Sequence, residues 1–214
     1  MTSQAAQRIS DALLNLDMDA TIGQVTSVIH GGSDLSLDDA VGALTTALEI
    51  VGRRFQDGEW FVGELVYAGE IAKAAMDLLT PRLAAGTTRR LGTIVVGTVA
   101  GDLHDLGKNI FVSYATAAGF DMVDLGVDVP VERFVDAARK REPLALGMSC
   151  LLTVTAGRVG DVIAALKRAG LRDSVKVIVG GAAMTQKFAD EVGADAFAPD
   201  AVTGTDTLKG WSAR

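Results

Sequence analysis

The chain has 214 residues, room for one or two domains, and its 49% hydrophobic content supports a buried core and excludes a disordered chain. A formal net charge of −7 argues against a nucleic-acid binder, which normally needs a basic face. The single cysteine, Cys150, excludes an internal disulfide framework. No run approaches the roughly 18 apolar residues of a membrane span, and the N-terminal MTSQAAQRISDALL lacks the basic stretch and apolar core of a signal peptide, so a cytoplasmic protein is expected.

The first part of the chain has helical periodicity. Ile9, Leu13 and Leu16 give one face, and Ile22, Val25, Val28 and Ile29 a second, with His30 at that helix's end. Ser36, followed by Asp38 and Asp39, has the character of an N-cap, and Val41, Leu44, Leu48, Val51 and Phe55 continue the stripe until Asp57-Gly58. Phe61, Leu65, Ala68, Ala72, Ala75, Met76 and Leu79 mark a fourth helix, which Pro81 is expected to stop. Four such helices with short connections make a bundle.

Beyond a linker expected at Ala84 to Arg90 the texture changes. Short apolar runs at 92–99, 121–127, 144–150, 175–181 and 195–200 alternate with amphipathic stretches around Ile110–Ala118, Val131–Arg141, Val154–Ala169 and Lys187–Val192. Strands alternating with helices specify a parallel sheet covered on both faces. The expected architecture is therefore α/β: a helical cap over residues 1–86, then a flavodoxin-like or Rossmann-like doubly wound, five-stranded parallel sheet over 87–214. Ligands bind such sheets outside the carboxyl ends of the strands.

The first strand runs into Gly101-Asp102-Leu103-His104-Asp105-Leu106-Gly107-Lys108-Asn109. A Walker loop needs four residues before its Gly-Lys and a hydroxyl after it; five separate Gly101 from Gly107 here, and Asn109 follows the lysine. The dinucleotide pattern fails as well, having no glycine at position 103. A histidine on such a loop can act as a base or bind a metal, and a carboxylate two residues away can accept from its second nitrogen. His30 is the one other histidine, so a zinc centre built from His and Cys lacks ligands. A lone imidazole suits a metal whose other positions come from a macrocycle, as cobalt's do in a corrin.

Asp102-x-His104-x-x-Gly107, with Ser149-x-Leu151 and Gly180-Gly181 downstream, resembles the cobalamin-binding signature of the corrinoid methyl-carrier proteins and of methionine synthase. Ile50-Val51-Gly52…Phe55 and Phe61…Lys73-Ala74-Ala75-Met76…Pro81 are similar to that family's helical cap. The resemblance implies a corrinoid cofactor with His104 displacing the benzimidazole base as lower axial ligand to cobalt. Asp102 would accept from the far nitrogen of His104, and Thr155 would complete that relay. The displaced nucleotide tail would run beside Ser149, Leu151 and Thr153, with Gly180 and Gly181 leaving room for it. Gly101 and Gly107 would shape the loop, Gly107 permitting the turn into the helix, and Leu103 and Asp105 would touch the corrin. Phe55 and Val62 would cover the upper face.

The family carries a methyl group on cobalt from a substrate-specific methyltransferase to an acceptor methyltransferase that uses tetrahydrofolate or a thiol, with a reductive activator as third partner. The acidic balance and the lack of long apolar runs lead us to expect no nucleic-acid or membrane partner, and the resemblance implies a carrier subunit rather than an enzyme acting alone. A cobalamin-dependent light sensor shares this cap and cofactor domain, but sensors carry Trp at the place of Phe55 and Glu-His at Leu65-Val66. The small subunit of an adenosylcobalamin mutase lacks the helical cap.

Overall fold

The computed structural model describes residues 3–83 and 90–213. They form two compact units that divide at Arg89 and Arg90, the segment Thr116–Gly119 being grouped with the first. Most of the linker expected at Ala84 to Arg90 lies outside the described residues.

The helical unit contains α1 (Gln4–Leu14), α2 (Met18–Ile29), α3 (Leu37–Gln56) and α4 (Val62–Leu83). Each of the first three begins on a capping side chain. Ser3 accepts from the Ala6 amide, Asp17 from Ala20 and Ser36 from Asp39, which satisfies donors that a helix start leaves open. The helices pack in the cyclic order α1–α3–α4–α2 around Ile9, Leu13, Val25, Leu44, Ile71 and Leu79, all essentially inaccessible to solvent. His30 caps the C-terminus of α2 and is exposed.

Three local expectations are corrected here. Pro81 lies inside α4 rather than ending it, because so close to the C-terminus it removes one hydrogen bond without interrupting a longer ladder. Phe61 is not part of the buried stripe: it precedes α4, 74% exposed, and its amide donates to Glu64. Leu16 lies beyond α1 with φ 56°.

The second unit carries β1 (Thr93–Thr98), α5 (Leu106–Ala117), β2 (Asp121–Asp124), α6 (Val131–Arg141), β3 (Ala145–Ser149), α7 (Gly157–Arg168), β4 (Lys176–Gly180), α8 (Gln186–Val192), β5 (Ala196–Ala198) and α9 (Ala201–Ser212). All five strands are parallel in the order β2-β1-β3-β4-β5, the flavodoxin-like order anticipated from the alternation of strands and helices. The stretch expected to be helical from Val154 splits into a 3-10 turn, Thr153–Thr155, and α7. The sequence reading did not anticipate α9.

Side chains alternate across β3. Leu146, Met148 and Cys150 join Phe134, Val162 and Leu166 in the core beneath α6 and α7. On the opposite face lie α5 and α9, so close that a Cβ on Gly204 would sit 2.9 Å from the Phe111 ring. Register brings Thr98, Ser149, Gly180 and Ala198 side by side at the carboxyl edge. Strand order reverses between β1 and β3, so the crevice of this fold opens there. No helix among the described residues is long and apolar enough to cross a membrane.

Candidate functional site

The loop from β1 to α5 is held open at that crevice. Gly101, at φ 83°, donates its amide to Asp128 Oδ1 at 2.7 Å, and the Asp128 amide returns a bond to the Asp102 carbonyl at 3.0 Å. These contacts turn the Asp102 side chain inward, where it is fully buried.

Four N–H groups surround that carboxylate. Oδ1 accepts from the His104 amide at 3.0 Å and from His104 Nδ1 at 2.7 Å. Oδ2 accepts from the amides of Leu151 at 2.6 Å and Leu152 at 3.3 Å, so one side chain ties the first loop to the loop after β3. Burial alone would raise the Asp102 carboxyl, but the amides of His104 and Leu151, the His104 ring and the Leu152 amide outweigh it and hold it below the usual carboxylate range. An ionised carboxylate only accepts, so Nδ1 carries a hydrogen, and Nε2 is the ring nitrogen left to act as a ligand in the neutral imidazole. The His104 side chain is 54% exposed, so Nε2 can be reached by a ligand.

A cavity of about 750 Å³ is lined by His104 and, on the α5 face of the sheet, by Val96, Gly147 and Ile178. Its far wall is Phe197 to Ala201 and the start of α9. Leu103, His104, Asp105, Gly107, Ser149, Leu151, Gly180 and Gly181, each singled out from the sequence, line it together. Gly101 and Asp102 stand behind the loop and Thr153 is exposed on its 3-10 turn; none of the three lines the cavity. Phe55 is half-buried near the end of α3 and Val62 is 52% exposed at the start of α4, both in the helical unit.

Three of the residues have surroundings that the sequence did not reveal. The Thr155 hydroxyl donates to the Leu152 carbonyl at 2.9 Å and touches Cys150 Sγ; it does not bond Asp102. Its link to the carboxylate is indirect, through Leu152, whose carbonyl accepts from the Thr155 hydroxyl and whose amide donates to Oδ2. Gly181, at φ 112°, is required by the fold itself, since a Cβ there would lie 2.2 Å from the Cys150 carbonyl oxygen. Gly107 is the second residue of α5 and needs no special backbone geometry; a Cβ on it would meet nothing within 4 Å.

Sequence reasoning missed Phe111, one helical turn beyond Gly107, and the wall from Phe197 to Ala201. A helical projection from Gly107 would have found the first. The capping pattern Asp200-x-x-Thr203, in which Asp200 accepts from the Thr203 amide at 2.7 Å, was the available signal for the second.

The described residues hold no group of three or more His, Cys, Asp or Glu able to bind a bare metal ion. One imidazole fixed by a buried carboxylate, lining a cavity, fits a metal that brings its own equatorial ligands. Fold and site together define a corrinoid-binding protein.

A B12 binding domain model matches residues 92–208 and a second B12 binding domain model matches 5–80. The chain is 37% identical to dimethylamine corrinoid protein 2 of Methanosarcina acetivorans, over 91% of this chain and 90% of that protein. It is 34% identical, over the same shares, to trimethylamine corrinoid protein 1 of that organism. A cobalamin-binding protein from Desulfitobacterium hafniense DCB-2 superposes with a TM-score of 0.81 at 38% identity, covering 96% of this chain and 98% of that one. The methanol:cobalamin methyltransferase complex of Methanosarcina barkeri shares the fold, with a TM-score of 0.83 at 24% identity over 100% of this chain and 81% of that one. The chain belongs to the B12-binding corrinoid proteins of methyltransferase systems, and its cofactor is a corrinoid.

Proposed function

We propose that this protein carries a methyl group between a substrate-specific methyltransferase and an acceptor methyltransferase, with its corrinoid held base-off through Nε2 of His104. The observation that carries this reading is the hydrogen bond that Nδ1 of His104 donates to Asp102, which fixes an imidazole that lines the cavity and leaves its other nitrogen to a ligand. When bound, the corrinoid supplies a cobalt that accepts and releases a methyl group; the protein supplies binding, orientation and electrostatics.

Asp102 holds the Nδ1 proton and raises the basicity of Nε2. Leu103 and Asp105 would border the ring, Ser149, Leu151 and Thr153 would flank the tail, and Gly107 would leave it space. Gly101, Gly180 and Gly181 set the backbone around it. The helical cap, residues 1–86, would shield the methyl group through Phe55 and Val62, while residues 87–214 hold the cofactor. The names of the relatives favour methylamines as the methyl source. The acceptor is a tetrahydrofolate- or thiol-dependent methyltransferase, and a reductive activator restores the cofactor after oxidation.

The test uses wild type and His104→Ala, each uniformly labelled with 15N, reconstituted with hydroxocobalamin and reduced to cobalt(II). Electron paramagnetic resonance should show splitting by one protein nitrogen in wild type and its loss in His104→Ala. Splitting by unlabelled benzimidazole nitrogen in wild type would overturn the axial assignment. Label from methylamine should reach the reconstituted protein only with a methylamine methyltransferase present; no transfer from any methylated substrate would overturn the carrier role.

A further inference from the structure

A lysine buried in the first turn of a helix is unfavourable on two counts: its charge faces the positive end of the helix dipole, and it has left water. Lys108 is such a residue, third in α5 with its side chain 2% exposed. Its Nζ donates to Asp124 Oδ2 at the end of β2 and to Asn109 Oδ1. Burying this cation costs desolvation that its contact with the more exposed Asp124 has to offset, so the pair is weak evidence for a role in stability. The reason for the pair lies in what it connects.

Two paths run from the pair to His104. In the first, Asn109 Nδ2 donates at 3.1 Å to Asp105, the residue after His104. In the second, Asp124 Oδ1 accepts from the Gly126 amide at 2.8 Å, and the Gly126 carbonyl accepts from the Thr98 amide at 3.0 Å. The fully buried Thr98 hydroxyl then donates to the His104 carbonyl at 3.1 Å. Asp102 sets the rotation of the imidazole, whereas these paths hold the backbone from which the ring projects.

We infer that the Lys108–Asp124 pair is a positioning device for the axial ligand, holding the His104 carbonyl by one path and the side chain of the next residue, Asp105, by the other, so that Nε2 keeps one direction whether or not cofactor is bound. The inference rests on His104 being the ligand. Lys108 is a positioning residue, acting through Asn109, Thr98 and the loop rather than by touching the metal.

Lys108→Met removes the cation and leaves Asp124, whose side chain is 35% exposed, to be satisfied by water. Asn109→Ala cuts the first path and Thr98→Val the second. Each holoprotein is checked by circular dichroism and corrinoid stoichiometry, then measured for the ratio of imidazole-coordinated to uncoordinated cobalt(II) by electron paramagnetic resonance. Lys108→Met should keep its fold and bind corrinoid while that ratio falls about 10-fold, the scale on which partners behind a metal ligand act. Each path variant should show a smaller fall. A wild-type ratio in Lys108→Met overturns the inference; should that variant not fold, wild-type ratios in both path variants overturn it. Absence of the imidazole signal from wild type would strike at the His104 assignment itself and is seen before any variant is compared.

Discussion

Asp102 Oδ1 lies 2.7 Å from His104 Nδ1, and the carboxylate is fully buried beneath an imidazole that is 54% exposed. The anion is thus out of solvent and its partner within reach of a ligand. The carboxylate accepts from the amides of both loops that border the crevice, so the group that fixes the histidine tautomer also fixes the shape of the site.

Replacing Asp102 with Asn should therefore affect folding before any cofactor binds. The Asp102 pKa is depressed in the folded state despite burial, because three amides and the His104 ring stabilise the charge. Its stabilisation is complete above the unfolded value, about 4, and is lost as pH falls through the lower folded value. The amide group of Asn must turn a donor toward a donor, so the variant should be about 2–4 kcal/mol less stable at pH 7. That deficit should shrink as pH drops below about 4. Urea unfolding of the apoproteins from pH 7 to pH 3 measures this, and a deficit independent of pH would contradict it.

Tyr114 on α5 has the opposite problem. Its hydroxyl is buried and finds no hydrogen-bond partner among the described residues, and burial pushes the phenol far above its ordinary range. Removing an unsatisfied group relieves its desolvation cost, so Tyr114→Phe should match wild type or gain about 1 kcal/mol. Denaturant midpoints decide this, and a loss of more than about 1 kcal/mol would reveal a partner for the hydroxyl.

Cys150 should be chemically silent in the native protein. It is fully buried at the end of β3. Burial pushes its thiol up, and the nearby Asp102 charge adds to this against the lowering contact with Thr155. Since the thiolate is the reactive form, a disulfide reagent at pH 8 should titrate the chain's one thiol at least about 100-fold more slowly than in urea, reaction having to wait for opening. Equal rates would show that the core beneath α6 and α7 opens readily.

The parts of the fold legible in the sequence were those with one dominant signal. Val131–Arg141 emerges with the expected bounds because Pro130 precedes it and three basic residues fill its last turn. β1 and β4 are legible as β-branched runs. Pro81 misled because a rule for helix interiors was applied to a helix end. α9 was overlooked because Gly204 and three threonines interrupt its apolar stripe; Gly204 is there because Phe111 leaves no room for a side chain. In the site, Asp102 and His104 were legible as local chemistry two residues apart. Lys108 was considered only as part of a failed phosphate loop, since its partner Asp124 stands on another strand. The reason for Gly181 was also nonlocal, a backbone approach to Cys150.

Gly107 and Gly181 separate space needed by the fold from space needed by the ligand. A Cβ on Gly181 would collide with the Cys150 carbonyl at a φ of 112°, so Gly181→Ala should destabilise the apoprotein by about 3 kcal/mol, combining backbone strain with the clash. A Cβ on Gly107 meets no protein atom within 4 Å, although the residue lines the cavity. Gly107→Ala should leave the apoprotein as stable or raise it by about 0.5–1 kcal/mol, as alanine does in a helix. If the cofactor fills that space, Gly107→Ala will take up hydroxocobalamin more weakly despite its sound fold. Thermal melts of the two apoproteins and equilibrium uptake of the corrinoid by Gly107→Ala test both halves. Uptake equal to wild type would move the cofactor away from the start of α5, while an unperturbed Gly181→Ala melt would mean that the loop after β4 can retreat from β3.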